Sequence, residues 1–209
     1  MAVDERVQQY AELLLDWNRR LNLTGARSMA ALDPHLADAQ RLLSLDWSGV
    51  KSVIDIGSGG GLPAIPLAIQ LPQIRFTLVE ADRRKAAFLE HVGGTLALQN
   101  VAVLVGRAEI LGHDPAFRER FDRATARAVA PPAVLLELAL PFVRVGGLLI
   151  DQVGEVDPLA LVAAARRLGG GTPSLHRVTA GLMLLVAKES PTPAEYPRRP
   201  GIPARRPLE

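Results

Sequence analysis

The sequence contains no cysteine, which removes disulfides, thiolate nucleophiles and cysteine zinc sites together. Long apolar runs are missing as well. Runs such as Gly181 to Ala187, seven residues long, fall far short of the roughly 18 that a membrane-spanning helix needs. Asp4 and Glu5 stand where an export signal would place positive charge ahead of an apolar stretch, so the expected location is the cytoplasm. The histidines, His35, His91, His113 and His176, are too scattered to suggest a metal cage, and no metal is expected. Lysine is scarce: of 24 basic side chains only Lys51, Lys85 and Lys188 are lysines and 21 are arginines, against 22 acids, for a net charge of +2. Arginine suits bidentate phosphate contact and base stacking. A genome rich in G and C yields the same skew, so composition alone leaves a nucleic-acid partner open.

What is present describes a folded α/β chain. Its 209 residues hold one full domain plus an extension, at about 150 residues per domain, and 48% hydrophobic with 22% charged residues supplies ample core. Val7, Tyr10, Leu14, Trp17 and Leu21 recur at alternating spacings of three and four, one face of a helix ending near Asn22 to Gly25. A second helical stretch is expected over 29–45. Beyond Lys51, β-rich runs at 52–56, 75–80, 101–105, 121–126 and 148–151 alternate with helical ones at 62–71, 83–98, 132–140 and 157–168. That alternation predicts right-handed crossovers and a mostly parallel sheet covered on both faces. The last two strands, 174–179 and 182–188, are separated only by Ala180-Gly181, which suits an antiparallel hairpin. A Rossmann-like parallel sheet ending in a hairpin hints at the class I methyltransferase architecture. The last 19 residues hold six of the 16 prolines together with Arg198, Arg199, Arg205 and Arg206, and so many prolines predict an extended basic tail without helix or central strand. The expected organisation is a helical extension (1–48) packed on the core, a main domain (49–190) and the tail (191–209).

The segment Val53-Ile-Asp55-Ile-Gly57-Ser58-Gly59-Gly-Gly-Leu62-Pro63 reads as a buried strand entering a glycine turn and then a helix, where a ligand can approach the backbone closely. Gly59, Gly61 and Ala64 satisfy the dinucleotide pattern, with Glu80 21 residues after Gly59, near the expected ribose-binding acid. Two features favour S-adenosylmethionine over NAD. Asp55 places a carboxylate where a sulfonium cation is tolerated and a pyrophosphate repelled, and Arg107-Ala108-Glu109 adds a second acid at the rim. A dehydrogenase would also need a substrate domain, for which no residues remain.

Several segments are similar to one family. Trp17-Asn18-Arg-Arg-Leu-Asn22-Leu-Thr24, His35-Leu-Ala-Asp38, the glycine loop through Pro63, Phe121-Asp122 with Ala126-Arg127-Ala128, and Tyr196-Pro-Arg-Arg-Pro-Gly-Ile-Pro203 resemble, in collinear order over almost the whole chain, the RsmG or GidB bacterial 16S rRNA guanine-N7 methyltransferases. The resemblance implies a class I S-adenosylmethionine-dependent fold, with methyl transfer from S-adenosylmethionine to N7 of the guanine at position 527, in the 530 loop of 16S rRNA. It implies the rRNA or the small ribosomal subunit as partner; from the sequence itself no membrane contact and no obligate protein partner are expected, and the chain is expected to be a monomer. Carried over, the family's donor contacts fall on Gly57, Leu62, Ala108, Glu109 and Arg127. Ser58 and Gly59 of the loop, Glu80 for the ribose hydroxyls and Asp55 as support complete the expected donor set. Arg127 and Arg107 are the candidate catalytic residues, and Asn22, His35, Asp38, Arg198 and Arg199 the candidate RNA contacts.

Guanine N7 carries an available lone pair at neutral pH, so attack on a sulfonium methyl needs no general base, nucleophile or metal, and alignment is expected to dominate. The base must be flipped out or taken from a single-stranded loop. Guanine O6, a phosphate and the methionine carboxylate are all open partners for Arg127, as is a structural ion pair. His35 and Asp38 fit helix packing as well as RNA, and Asn22 with Thr24 fits a helix cap. Two departures stand out: Ala64 where the family commonly has Gly, and Val153 where a Lys usually precedes Gly154, which removes that lysine from any grip on RNA. Rival readings are a class I methyltransferase acting on another RNA position or a small molecule, and a donor-binding accessory protein without turnover.

Overall fold

Short Val, Ile and Leu runs form one seven-stranded sheet in the computed structural model, which describes residues 3–178 and 181–209. The strands are β1 (Ser52–Ile56), β2 (Arg75–Glu80), β3 (Val101–Val105), β4 (Phe121–Arg127), β5 (Val143–Val153), β6 (Ser174–Val178) and β7 (Gly181–Ala187), in the spatial order β3-β2-β1-β4-β5-β7-β6. The first five run parallel, and β7 is antiparallel to both β5 and β6. The chain winds outward from β1 to β3 and then returns to lay β4 on the other side of β1. The crossover after β1 leads to β2 on one side and that after β4 leads to β5 on the other, which opens a crevice at the carboxyl ends of β1 and β4.

Alternation along the strands divides the core. Val53, Phe76 and Leu78 pack with α1 (Val3–Leu21), α2 (Met29–Arg41), α3 (Ala64–Gln70) and α4 (Arg83–Thr95). Ile54, Ile56, Val79 and Leu149 face the opposite layer, formed by α5 (Ala108–Leu111), α6 (Pro132–Ala139) and α7 (Val162–Arg167). The N-terminal helices have no core of their own, because Tyr10, Leu14 and Leu32 are fully buried in the same cluster as Ile65 and Phe88. Among the described residues no helix is long and apolar enough to cross a membrane.

Several boundaries differ from expectation, each for a local reason. The turn after α1 is held chiefly by Asn18, with the Thr24 hydroxyl accepting from the Ala26 N–H (3.2 Å). The buried Asn18 amide accepts from the N–H groups of Leu23 (2.7 Å) and Thr24 (3.0 Å) and donates to the carbonyls of Thr24 (2.9 Å) and Ala26 (2.8 Å), which fills its hydrogen-bonding capacity. The second helical stretch ends as α2 followed by a 3₁₀ turn, Leu42–Ser44. Strand β5 begins five residues before the expected 148, and α5 was not anticipated. The tail is not extended throughout: it ends in a short helix, α8 (Ile202–Arg205), whose Pro203 occupies the first turn, where a missing N–H costs nothing. The last two strands pair as a hairpin, with Gly181 of the expected turn opening β7, while Thr179 of the expected strand and Ala180 of the expected turn lie outside the described residues.

Asp122 ties the entry of the central strands together. Its carboxylate accepts from the backbone N–H groups of Lys51 (2.8 Å) and Ser52 (2.9 Å), the Ser52 hydroxyl (3.0 Å) and Arg144 Nε (2.7 Å). Burial alone would raise its pKa, but Arg144 and the Lys51 and Ser52 groups outweigh it and hold the pKa at about 2. A depressed carboxylate stabilises the fold above its unfolded value of about 3.9 and loses that contribution as pH falls toward the folded value. Asp122→Asn is therefore expected to cost about 2 kcal/mol at pH 7, with the deficit shrinking as urea melts are repeated from pH 4 down to pH 2.

Candidate active site

The glycine turn after β1 carries its own support. Gly57 (φ 65°), Gly59 (φ 52°) and Gly61 (φ 91°) are all left-handed, a region that side chains resist. The Ser58 N–H donates to Val79 O (2.9 Å), the Gly59 N–H to Glu80 Oε2 (2.8 Å), and the Tyr10 hydroxyl to Gly60 O (2.6 Å). A strand end and an N-terminal helix thus hold the loop from opposite sides. A Cβ built on Gly57 would lie 2.9 Å from Val129 Cγ1, so only the bare backbone leaves that approach open.

The loop borders a cleft of about 230 Å³ lined by Gly57, Glu80, Ala108, Glu109, Val129 and Leu138, among others. Glu80 is 8% exposed, and its second oxygen accepts from the Asp82 N–H (2.8 Å), leaving lone pairs toward the cleft. Glu109 receives two bonds from Arg107, at 2.6 and 3.2 Å, and one from the Gly201 N–H at 3.1 Å. Burial pushes the Glu109 pKa up, but Arg107, its own N–H and Gly201 outweigh that and lower it. An acid at the end of β2 and another in the first turn of α5, beside an apolar wall, fit a ribose and a flat heterocycle, and the cradle at Gly57 fits a close ligand.

The expected donor residues fall into two groups. Gly57, Glu80, Ala108 and Glu109 line this cleft, as does Arg107, whose guanidinium is engaged by Glu109. Leu62 instead packs against the core beneath α1 to α4, and the Ser58 hydroxyl donates to Asp55 O (3.1 Å) under the loop. Asp55 lies beneath the loop too, 1% exposed, with the Thr125 hydroxyl donating to Oδ1 at 2.6 Å. Burial raises its carboxyl to about 7, against the Thr125 and Ser58 hydrogen bonds.

Arg127 lines a separate cavity of about 430 Å³, with Asp38, Ala128, Asp151, Gln152 and Met183. Ala130 lines both spaces, so the two meet at the loop after β4. That loop begins with Ala128 at φ 54°, a strained turn of the kind found where a side chain is aimed. Arg127 Nη1 donates to His35 O (3.1 Å), its Nη2 meets His35 Nδ1, and Asp38 Oδ2 stands 3.8 Å away. Burial and the neighbouring Arg127 charge lower the His35 pKa, so its ring is neutral near pH 7 and Nδ1 can accept. The structure thus brings the His35 and Asp38 pair of α2 against Arg127, which lies 92 residues after His35 in sequence.

Asn22 is exposed at φ 39° and lines an open cleft of about 700 Å³ with Arg19, Arg20 and Arg27. The tail packs down. Arg118 donates to the carbonyls of Gly112, Thr192, Pro193 and Tyr196, and Arg198 forms a multiply bonded pair with Glu137, closest at 2.6 Å, where Glu137 is 1% exposed at its side chain. Arg198 is thereby taken from the set of free RNA contacts, while Arg199, Arg205 and Arg206 stay exposed. Ala204 of α8 reaches the wall of the cleft behind the glycine loop. Sequence reasoning gave no role to Tyr10, Arg118, Glu137 or Asp151. For Asp151 a signal existed, a lone acid closing the apolar run Leu148-Leu-Ile150 at a carboxyl strand end.

A model of the family described as rRNA small subunit methyltransferase G matches residues 3–164. The chain is 42% identical over 214 residues to the ribosomal RNA small subunit methyltransferase G of Moorella thermoacetica, covering 97% of this chain and 89% of that one. It is 44% identical over 212 residues to the Chloroflexus aggregans protein of the same name, covering 96% and 88%. Among solved structures it resembles the O-methyltransferase from Bacillus cereus in complex with SAH, at a TM-score of 0.59 and 21% identity over 86% of this chain and 90% or more (91%) of that one. That likeness shows the fold, the class I methyltransferase sheet with its closing antiparallel strand.

Two substitutions probe the donor side. Gly57→Ala is expected to cost about 1–2 kcal/mol of stability through its left-handed φ and to weaken S-adenosylmethionine binding about tenfold or more by calorimetry. Arg198→Ala leaves Glu137 buried without its partner, and chemical denaturation should register a loss of about 3 kcal/mol. Donor affinity should fall with it, because the tail that walls the cleft loosens.

Proposed function

The chain belongs to the rRNA small subunit methyltransferase G family, and on that footing we propose that it transfers a methyl group from S-adenosylmethionine to N7 of a guanine in small-subunit rRNA, the guanine at position 527 in the 530 loop of 16S rRNA. The observation that carries the reading is the meeting of two cavities at the carboxyl edge of the sheet, one behind the glycine loop with Glu80 and Glu109, the other holding Arg127.

When bound, the donor supplies an electrophilic methyl group on a sulfonium. The N7 lone pair forms the new N–C bond as the S–C pair returns to sulfur, so no proton has to move at the reacting atoms. The work left to the protein is alignment, and holding two reactants in line is worth several kcal/mol. Gly57 and Gly59 permit close approach, Glu80 and Glu109 are placed for hydroxyl and amino groups, and Val129 with Leu138 offers an apolar wall. Asp55 supports the loop from below and places negative charge behind it when ionised.

On the target side, Arg127 is anchored by His35 and Asp38, so its guanidinium is already oriented. It lines the second cavity and not the donor cleft, which favours guanine O6 or a phosphate over the methionine carboxylate. Exposed arginines flank this edge from both layers: Arg19, Arg20 and Arg27 near Asn22 on the α1 side, and Arg199, Arg205 and Arg206 on the tail. Such groups grip phosphate without reading sequence. We read the chain as a monomer of the bacterial cytoplasm that meets 16S rRNA or the small subunit there.

Mass analysis of 16S rRNA from a strain lacking the gene, with and without the gene restored, tests the position directly. A missing methyl group elsewhere in the RNA, or none at all, would favour the rival substrates. Arg127→Ala is expected to lower turnover on small subunits about 100-fold while leaving donor affinity within a few-fold. Parallel turnover and calorimetry separate this from a donor contact, in which both quantities would fall together, and normal turnover would remove Arg127 from the site.

A further inference from the structure

Asp151 ends the apolar run of β5 at the carboxyl edge and lines the cavity that also holds Arg127. It is 3% exposed and has no hydrogen-bond or ion-pair partner among the described residues. A buried carboxyl without a partner is costly, by several kcal/mol for the charged form. The fold does not need it, since its register partners Ala126 and Leu184 are apolar. Next to it the Oε1 of Gln152 is also buried without a donor, its Nε2 being used on Asp38 O at 2.8 Å. The cavity therefore presents the Asp151 carboxyl as an acceptor that nothing in the described chain satisfies.

We propose that Asp151 is the specificity-determining residue of the target pocket, its carboxylate accepting hydrogen bonds from the N1–H and the exocyclic N2 amino group of the guanine. Among the four bases only guanine offers two adjacent donors of this kind on one edge; adenine turns an acceptor at N1 toward a carboxylate and is repelled. The geometry agrees with the reaction proposed above, on which this inference rests. The N1 and N2 edge lies across the base from N7, so a base read by Asp151 turns N7 away from it, and Ala130 lines both this cavity and the donor cleft. Burial raises the carboxyl to about 8 in the open pocket, and two donated N–H bonds favour its ionised form.

The test uses small subunits reconstituted with 16S rRNA carrying either guanosine or inosine at the methylated position. Inosine keeps N7 and N1–H and lacks the N2 amino group. The unsubstituted protein should show kcat/KM about 10- to 100-fold lower on inosine, the loss expected for one hydrogen bond to a charged group. In Asp151→Ala the guanosine rate should fall by a similar factor and the guanosine-to-inosine ratio should approach one. Its melting temperature should be unchanged or higher and its affinity for the demethylated donor within about two-fold. A structural acid would instead lower the melting temperature and leave the ratio intact, and an intact ratio overturns the inference while methyl transfer stands. If the unsubstituted protein fails to methylate guanosine-bearing subunits, the proposed function falls. The inference is then decided by equilibrium binding of guanosine and inosine 5′-monophosphates in the presence of the demethylated donor. Tighter guanosine binding that disappears in Asp151→Ala sustains it; equal binding by the unsubstituted protein overturns it.

Discussion

A left-handed glycine backbone at the end of β1 has to be held in place without side chains of its own, and the rest of the site depends on how that is done. Glu80 takes the Gly59 N–H from the neighbouring strand, and Tyr10 gives its hydroxyl to Gly60 O from a helix 50 residues earlier. Both are buried, where a hydrogen bond is little contested by water. The N-terminal helix is thereby more than a cover for α3. Its register along the sheet sets the height of the loop, and through Asn18 it also sets the path into α2, which delivers His35 and Asp38 to Arg127. Donor side and target side share one scaffold.

Much of this was legible in sequence because the periodicities are local. The strands over 52–56, 75–80 and 101–105 lie where alternating runs placed them, since a buried parallel strand needs little beyond β-branched residues and a turn. Gly57 and Glu80 lie at strand ends and the Ala108-Glu109 pair opens α5 just past β3, at the edge that the sheet topology brings together. Contacts made across layers left no such trace. Nothing near Arg118 announces that four carbonyls will converge on it, nor does the apolar stretch around Glu137 announce Arg198. The tail shows the limit of composition, because its prolines exclude a long helix but not the four-residue α8, where a proline sits in the first turn.

The arginines, counted together in the composition, divide by burial into different jobs. Arg118 and Arg198 serve as internal staples, Arg127 is an anchored group at the edge of a cavity, and Arg19, Arg20, Arg27, Arg199, Arg205 and Arg206 are solvated. A skew that genome composition would explain equally well acquires meaning only after this division. Lys188 marks the same boundary from the other side. It is buried, with Nζ donating to Leu140 O, Val143 O and Thr192 Oγ1 and 3.0 Å from Glu119, so a lysine ties the start of the tail to the core.

The way the tail is fastened has a consequence for ionic strength. Four neutral carbonyls on Arg118 and a largely buried pair at Arg198 are poorly reached by counterions, whereas exposed arginines on phosphate exchange freely with them. Added salt should therefore strip the RNA while the wall of the donor cleft stays latched. On the proposed assignment of the two cavities, rising salt is expected to release the large ligand before the small one, an order set by the burial of the guanidinium groups.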